Sequence, residues 1–249
     1  MNVRKKIRAI TILLCAISTL GLNLFAQAPP SLDGKAILKK VDSFRQFSSS
    51  GFSFDFAVTE NNGTKSLMRV SLSNENKDTS IVRYMEPKKY RRRIVLTLQN
   101  SFFIYDQGMM SPIRITPREM LFGQASAGDI TRIAFAGMYS IENIEKTDAV
   151  YHLELKGLPN AGATYDLIDL TVNATDGKPI QADCKGSSGR LMKTIIYDGF
   201  RNIQGKDLLT AFTIKDSSTG ETSTVLLDNF STDTYPDSSF TVEAIKHVR

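Results

Sequence analysis

Tryptophan is absent, and only two histidines and two cysteines occur in the 249 residues. The histidines, His152 and His247, have no Cys, Asp or Glu partner at metal-ligand spacing on one face, so the pattern excludes a zinc site and predicts neither metal nor cofactor. Cys15 falls inside an N-terminal apolar run, which leaves Cys184 alone and excludes an intramolecular disulfide in the rest of the chain. With no activating histidine near it in sequence, Cys184 reads as a small buried strand residue. No Gly-x-Ser-x-Gly, P-loop or dinucleotide fingerprint is present. The nearest thing to a nucleophile loop is Gly186-Ser187-Ser188-Gly189, whose place between two alternating stretches makes it a hairpin turn. No catalytic set is visible, and the chain is expected not to be an enzyme.

A long apolar run is also missing, apart from one at the start. Arg4, Lys5, Lys6 and Arg8 precede an apolar stretch from Ala9 to Phe25, which is interrupted by Ser18, Thr19, Gly21 and Asn23 and falls short of the ~20 residues of a membrane span. Ala26-Gln27-Ala28 follows, then Pro29-Pro30. This is the layout of a cleaved secretory signal over residues 1–28, with a single domain over 29–249. The signal holds four of the 31 basic residues and none of the 26 acidic ones, so the formal charge of +5 belongs mostly to it. Removing that excess removes the main support for a nucleic-acid partner.

What is present is a globular composition, 41% hydrophobic and 23% charged, arranged with strand periodicity. Leu32, Ala36, Ile37, Val41 and Phe44 form one helical stripe. Helical spacing then gives way to alternation: Phe52, Phe54, Phe56 and Val58, then Leu67–Leu72 and Thr79–Met85. Beyond Pro87, which stops strand pairing, Ile94, Leu96 and Leu98 share one face and Val95 and Thr97 the other. Phe102–Tyr105 is apolar on both faces and is expected to be covered twice. Thr116-Pro117 opens one short helix and Asp129–Met138 has the spacing of a second. Between them Gly123–Gly128 reads as a flexible linker, so the pair has the form of a lid. Strands follow at 150–157, 165–173, 178–185, 190–200, 207–216 and 221–230, separated by turn residues, as in a meander curling into a barrel or sandwich.

The stretch from Tyr84 to Tyr139 joins a basic cluster to a surface rich in Met and Phe. Lys88, Lys89, Arg91, Arg92 and Arg93 read first as a solvated strand start, and next as a contact for an anionic headgroup or surface. Methionine is a sparing gap-filler in fixed cores and common where varied ligands are held, which favours a cavity.

Several features in this order resemble the bacterial outer-membrane lipoprotein-sorting family, the LolA/LolB-like proteins. They are a helix after a signal, a meander, Pro87 with Tyr90 three positions on, an aromatic strand ending Tyr105-Asp106, a short helical insertion, and a run of strands closing with Phe240-Thr241. The likeness runs from Asp33 to Val248. It implies a mainly β (α+β) fold: a half-open antiparallel β-barrel of about ten to eleven strands, with an N-terminal helix and short lid helices over an apolar cavity. It also implies a monomeric periplasmic carrier of lipoprotein acyl chains or another lipid, with an inner-membrane donor and an outer-membrane acceptor. The alternative is a periplasmic sensor or assembly module that binds a protein partner through the same sheet. The expected lining is Ile94, Leu96, Leu98, Phe103, Tyr105, Met120, Phe122, Ile133, Phe135 and Met138, with the basic cluster as its rim. Two positions depart from the family. Glu86 stands where the family has a lid-latching Arg before the turn proline, and Arg92 stands where it has Trp.

Overall fold

The computed structural model describes residues 33–76, 78–132 and 134–248; the expected signal segment lies outside them. Helix α1 (Gly34–Ser43) starts where Asp33 accepts the Ala36 amide at 3.1 Å, an N-cap that satisfies one otherwise unpaired donor of the first turn. Its stripe buries Leu38 and Val41, with Phe44 just beyond, edge-on to Phe200 at 5.4 Å. Each such side chain contributes about 1.5–3 kcal/mol of burial.

The chain then runs through β1 (Ser53–Glu60), β2 (Lys65–Leu72), β3 (Thr79–Glu86), β4 (Ile94–Leu98), β5 (Ser101–Tyr105) and β6 (Ile113–Ile115). After an insert holding β7 (Met120–Phe122), β8 (Ala125–Ser126) and α2 (Ala127–Thr131), the meander resumes. Its strands are β9 (Tyr139–Lys146), β10 (Val150–Gly157), β11 (Leu167–Asn173), β12 (Pro179–Lys185), β13 (Leu191–Ile203), β14 (Lys206–Asp216) and β15 (Thr222–Ser231). Thirteen strands form one antiparallel sheet in the order β6-β5-β4-β3-β2-β1-β15-β14-β13-β12-β11-β10-β9. First and last strands meet in the middle, and the two free edges, β6 and β9, are the strands that flank the insert.

Alternation sorts the side chains. Paired residues of neighbouring strands share a face, so Leu227, Phe56, Met68 and Tyr84 form one row across β15, β1, β2 and β3. Leu153, Leu170, Ala182, Ile195 and Ile214 form another across β10 to β14. Both rows belong, with α1, to the main core, and this is the inner face. A second core lies on the outer face of β3 to β5. There Ile81, Ile94 and Leu96 pack under Phe240 and Ile245 of the C-terminal segment, with Leu98, Phe103, Tyr105 and Tyr235 at its margin. Phe102–Tyr105 is therefore covered twice, and the outer cover is the chain's own C-terminal segment.

The sheet has more strands than the ten to eleven that the resemblance implies, and β9, ahead of the first strand expected after the insert, adds an edge that the sequence reading did not place. The insert differs more. Instead of two short helices joined by a flexible linker, it makes the β7–β8 hairpin and a five-residue helix. Gly123 turns the chain at φ +52, a conformation costly for other residues, and so places β8 back against β7. Ala125, Ser126 and Ala127 are fully buried, so the stretch expected as a linker is packed structure. Ser126 and Asp129 start α2 with a reciprocal capping box. The helix stops at Arg132, and two amides that its continuation would need, those of Phe135 and Ala136, donate to the Asp42 carboxylate of α1 at 2.6 and 2.9 Å. A tertiary acceptor thus ends the helix that the spacing of Asp129–Met138 predicts.

Candidate functional site

The insert lies on the inner face as a plug. On the sheet side it is held by Lys193, which occupies an inward position in the row Leu155, Ile168, Cys184, Lys193. A lysine 5% exposed among apolar side chains needs a partner, because an unpaired buried charge is costly. Its ammonium donates to Asp129 Oδ2 and to the Gln124 carbonyl, each at 2.8 Å. The Tyr165 hydroxyl donates to Asp129 Oδ1 at 2.7 Å, and the Ser126 hydroxyl and amide fill the remaining sites at 2.7 and 3.0 Å. Burial pushes the Asp129 carboxyl upward, but the charge of Lys193 and these hydrogen bonds outweigh it and hold the group below the usual range.

On the helix side, Arg45 donates to the carbonyls of Arg132 at 2.8 Å and Asp129 at 3.1 Å, acceptors that a helix C-terminus leaves free. Burial lowers the Arg45 pKa. Asp42 binds the next turn of chain. Burial raises its pKa to about 6, opposed by the Phe135 and Ala136 amides and by Arg45. A carboxyl raised in the folded state contributes stability that is present below its unfolded pKa and lost as pH rises through about 6. Urea melts at pH 4.5 and 7.5 should therefore show wild type losing stability, relative to Asp42→Asn, at the higher pH. A constant difference between the two proteins would show that Asp42 keeps an ordinary pKa.

Between plug, α1 and sheet remains a cavity of about 50 Å³ lined by Arg45, Phe135, Met138, Ile168, Tyr197 and Phe212, among others. Small-molecule sites typically span ~300–1000 Å³. The plug packs into the main core and leaves little open space at this part of the inner face.

Of the expected lining, Phe135 and Met138 face this cavity, and Phe122 packs against the main core. Met120 is 45% exposed, in a cleft beside the turn that holds Ser187 and Ser188. Ile133 lies outside the described residues. Ile94, Leu96, Leu98, Phe103 and Tyr105 are corrected to the outer face; the side chains that β4 and β5 send inward are Val95, Phe102 and Ile104. Alternation grouped these strands correctly. Which group faced the helix and plug depended on the C-terminal segment, whose docking no local pattern reveals.

The basic cluster is likewise away from the cavity. Arg91 pairs with Glu86 at 2.8 Å, and Arg93 with Asp106 at 3.0 Å while lying over the Tyr90 ring at 4.4 Å. Lys89 lies over the other aromatic side of that turn, 4.8 Å from the Tyr90 centroid, and Lys88 and Arg92 are exposed. Glu86 thus braces its own turn, and Lys193, Arg45 and Asp42 hold the plug. These three, with Asp129 and Tyr165, are the site residues that sequence reading missed. A signal existed: Lys193 interrupts the alternating series Leu191, Ile195, Tyr197, and Ser126-x-x-Asp129 is a capping box. Among the described residues, no group of three or more His, Cys, Asp or Glu could hold a metal ion, and no helix is long and apolar enough to cross a membrane.

The unclosed antiparallel sheet with a helix on its inner face is a LolA-like fold. A LolA superfamily protein from Nitrosomonas europaea superposes with a TM-score of 0.71 at 28% identity, over 84% of this chain and 97% of its own. A putative outer membrane lipoprotein-sorting protein domain from Vibrio parahaemolyticus gives 0.67 at 13% identity, over 85% and 97%. A DUF1329 family protein from Desulfovibrio piger gives 0.69 at 16% identity, over 88% and 100%. Residues 76–247 match the model of a family described as "Uncharacterized protein", and the chain belongs to that family. No curated protein matches it in sequence.

Proposed function

We propose that the protein is a periplasmic carrier that receives lipoprotein acyl chains or another lipid on the inner face of its sheet and passes them towards the outer membrane. It would act by equilibrium binding without a covalent step. The observation that carries this reading is the plug. It spans the sequence between the two free edges of the sheet, covers an apolar face, and is held there by the buried Lys193 and the half-buried Arg45 and Asp42. Burying a sixteen-carbon chain at ~0.8 kcal/mol per methylene yields on the order of 10 kcal/mol. That is enough to offset displacement of such a latch. Release requires a partner with a better site, which fits an inner-membrane donor and an outer-membrane acceptor. Organic extraction of the exported protein should yield lipid, and a fluorescent fatty acid should bind saturably; if neither occurs, the carrier reading is wrong.

The gate can be tested separately. A Cβ at Gly128 would stand 2.9 Å from Thr164 Cβ, closer than real Cβ contacts come, so Gly128→Ala must push α2 off its wall. Overpacking of this kind costs the closed form about 1–3 kcal/mol. Fatty-acid affinity should then rise about 5- to 150-fold as the open form becomes more populated. Lower stability with unchanged affinity would show that the plug does not gate binding.

The second reading, a sensor or assembly module, is favoured by the small size of the cavity, about 50 Å³. It requires a stable complex with a polypeptide in pull-down from the protein's own cell envelope, together with a lipid-free interior.

A further inference from the structure

The outer face carries a second cleft, of about 660 Å³, between the start of β4, the end of β5 and the C-terminal residues. Its floor is apolar: Ile94, Tyr105, Ile245 and Val248. Its walls are basic, with Arg83 and Arg92 on one side and Lys246 and His247 on the other. Glu86, Asp106 and Glu243 neutralise Arg91, Arg93 and Lys246. Among the described residues, Arg83, Lys88, Lys89 and Arg92 have no carboxylate partner.

We infer that this cleft and the turns around it dock on an anionic phospholipid surface, with a phosphate headgroup between Arg83 and Arg92. Two further observations favour a membrane over an acidic polypeptide. The β3–β4 and β5–β6 turns lie at the same end of the sheet, tied by the Arg93–Asp106 pair, and the second turn presents Met110, which is 98% exposed. A bare apolar tip beside unpaired cations suits the boundary between headgroups and acyl chains. Tyr105 and Val248, half-buried in the cleft, also supply apolar area next to the phosphate site, as an amphiphile needs and a free inorganic anion does not. This site is separate from the inner face, so its failure would leave the carrier reading standing, and the converse holds.

The test is co-sedimentation of the exported protein with phosphatidylcholine vesicles that contain or lack phosphatidylglycerol. Wild type should sediment only with the anionic vesicles and be released by high salt. The exposed triple variant Lys88→Ala/Lys89→Ala/Arg92→Ala should bind on the order of 100-fold more weakly, at ~1 kcal/mol per cation removed. Met110→Ser, a neutral change, should weaken binding without changing its salt dependence. Equal sedimentation of wild type and triple variant would overturn the inference. So would failure of wild type to bind anionic vesicles, and if a glutamate-rich peptide bound instead and the triple variant lost it, the cleft would belong to a protein partner.

Discussion

Lys193→Met is expected to lower the unfolding free energy by about 3–5 kcal/mol, the usual penalty for removing one member of a buried ion pair. Asp129 would remain 7% exposed, with Tyr165 and Ser126 but no cation. Against a total of ~5–15 kcal/mol for an ordinary domain, that is a large fraction. The double variant Lys193→Met/Asp129→Leu should recover part of it, because no charge is then left buried alone, although the Tyr165 hydroxyl and the Ser126 hydroxyl and amide lose their acceptor. The two variants separate latch from core. In the double variant α2 also loses its capping box, so the plug should loosen and fatty-acid affinity should rise while global stability stays above that of the single variant. Urea melts and fluorescent fatty-acid titrations on the same preparations check both. If the single variant is as stable as wild type, the pair does not hold the plug.

Phe240→Ala is expected to remove about 3–5 kcal/mol from the docking of the C-terminal segment, since its ring is 5% exposed at the centre of the outer core. Two polar ties to Asp237 remain, a part-buried one from the Ser73 hydroxyl at 2.7 Å and an exposed one from the Asn74 amide at 3.0 Å, and should not hold the segment alone. Hydrogen exchange over residues 235–248 should accelerate, and protease should cut there first. Fatty-acid uptake should stay at the wild-type level, whereas Phe102→Ala, on the inner side of the same sheet, should alter it. If Phe240→Ala abolishes uptake and Phe102→Ala spares it, the lining lies on the outer face, as alternation in β4 and β5 first suggested.

Much of the architecture was legible along the chain. The N-terminal helix and the strands from Val150 to Ser231 fall within a few residues of their expected positions, because each has a strong period and a Gly, Asn or Asp turn beside it. The insert was not legible. Asp129 to Met138 has helical spacing, yet its amides at Phe135 and Ala136 are taken by Asp42, nearly a hundred residues earlier. Local propensity there was overruled by a single carboxylate that arrives from another element.

The sequence by itself determined the alternation, hence the antiparallel meander and the two sets of residues that each strand sends to opposite faces. It also determined the lack of catalytic groups of familiar spacing. Only the tertiary structure decided which set is inner and which outer, since a period of two is symmetric between faces and the choice depends on what packs against them. Here α1 and the plug cover one face while the C-terminal segment covers the other. The basic turn beside Pro87, which the family resemblance made the rim of a cavity, thereby becomes the border of a separate cleft, and the plug is held by Lys193, Asp129, Arg45 and Asp42, charges whose meaning depends on being brought together.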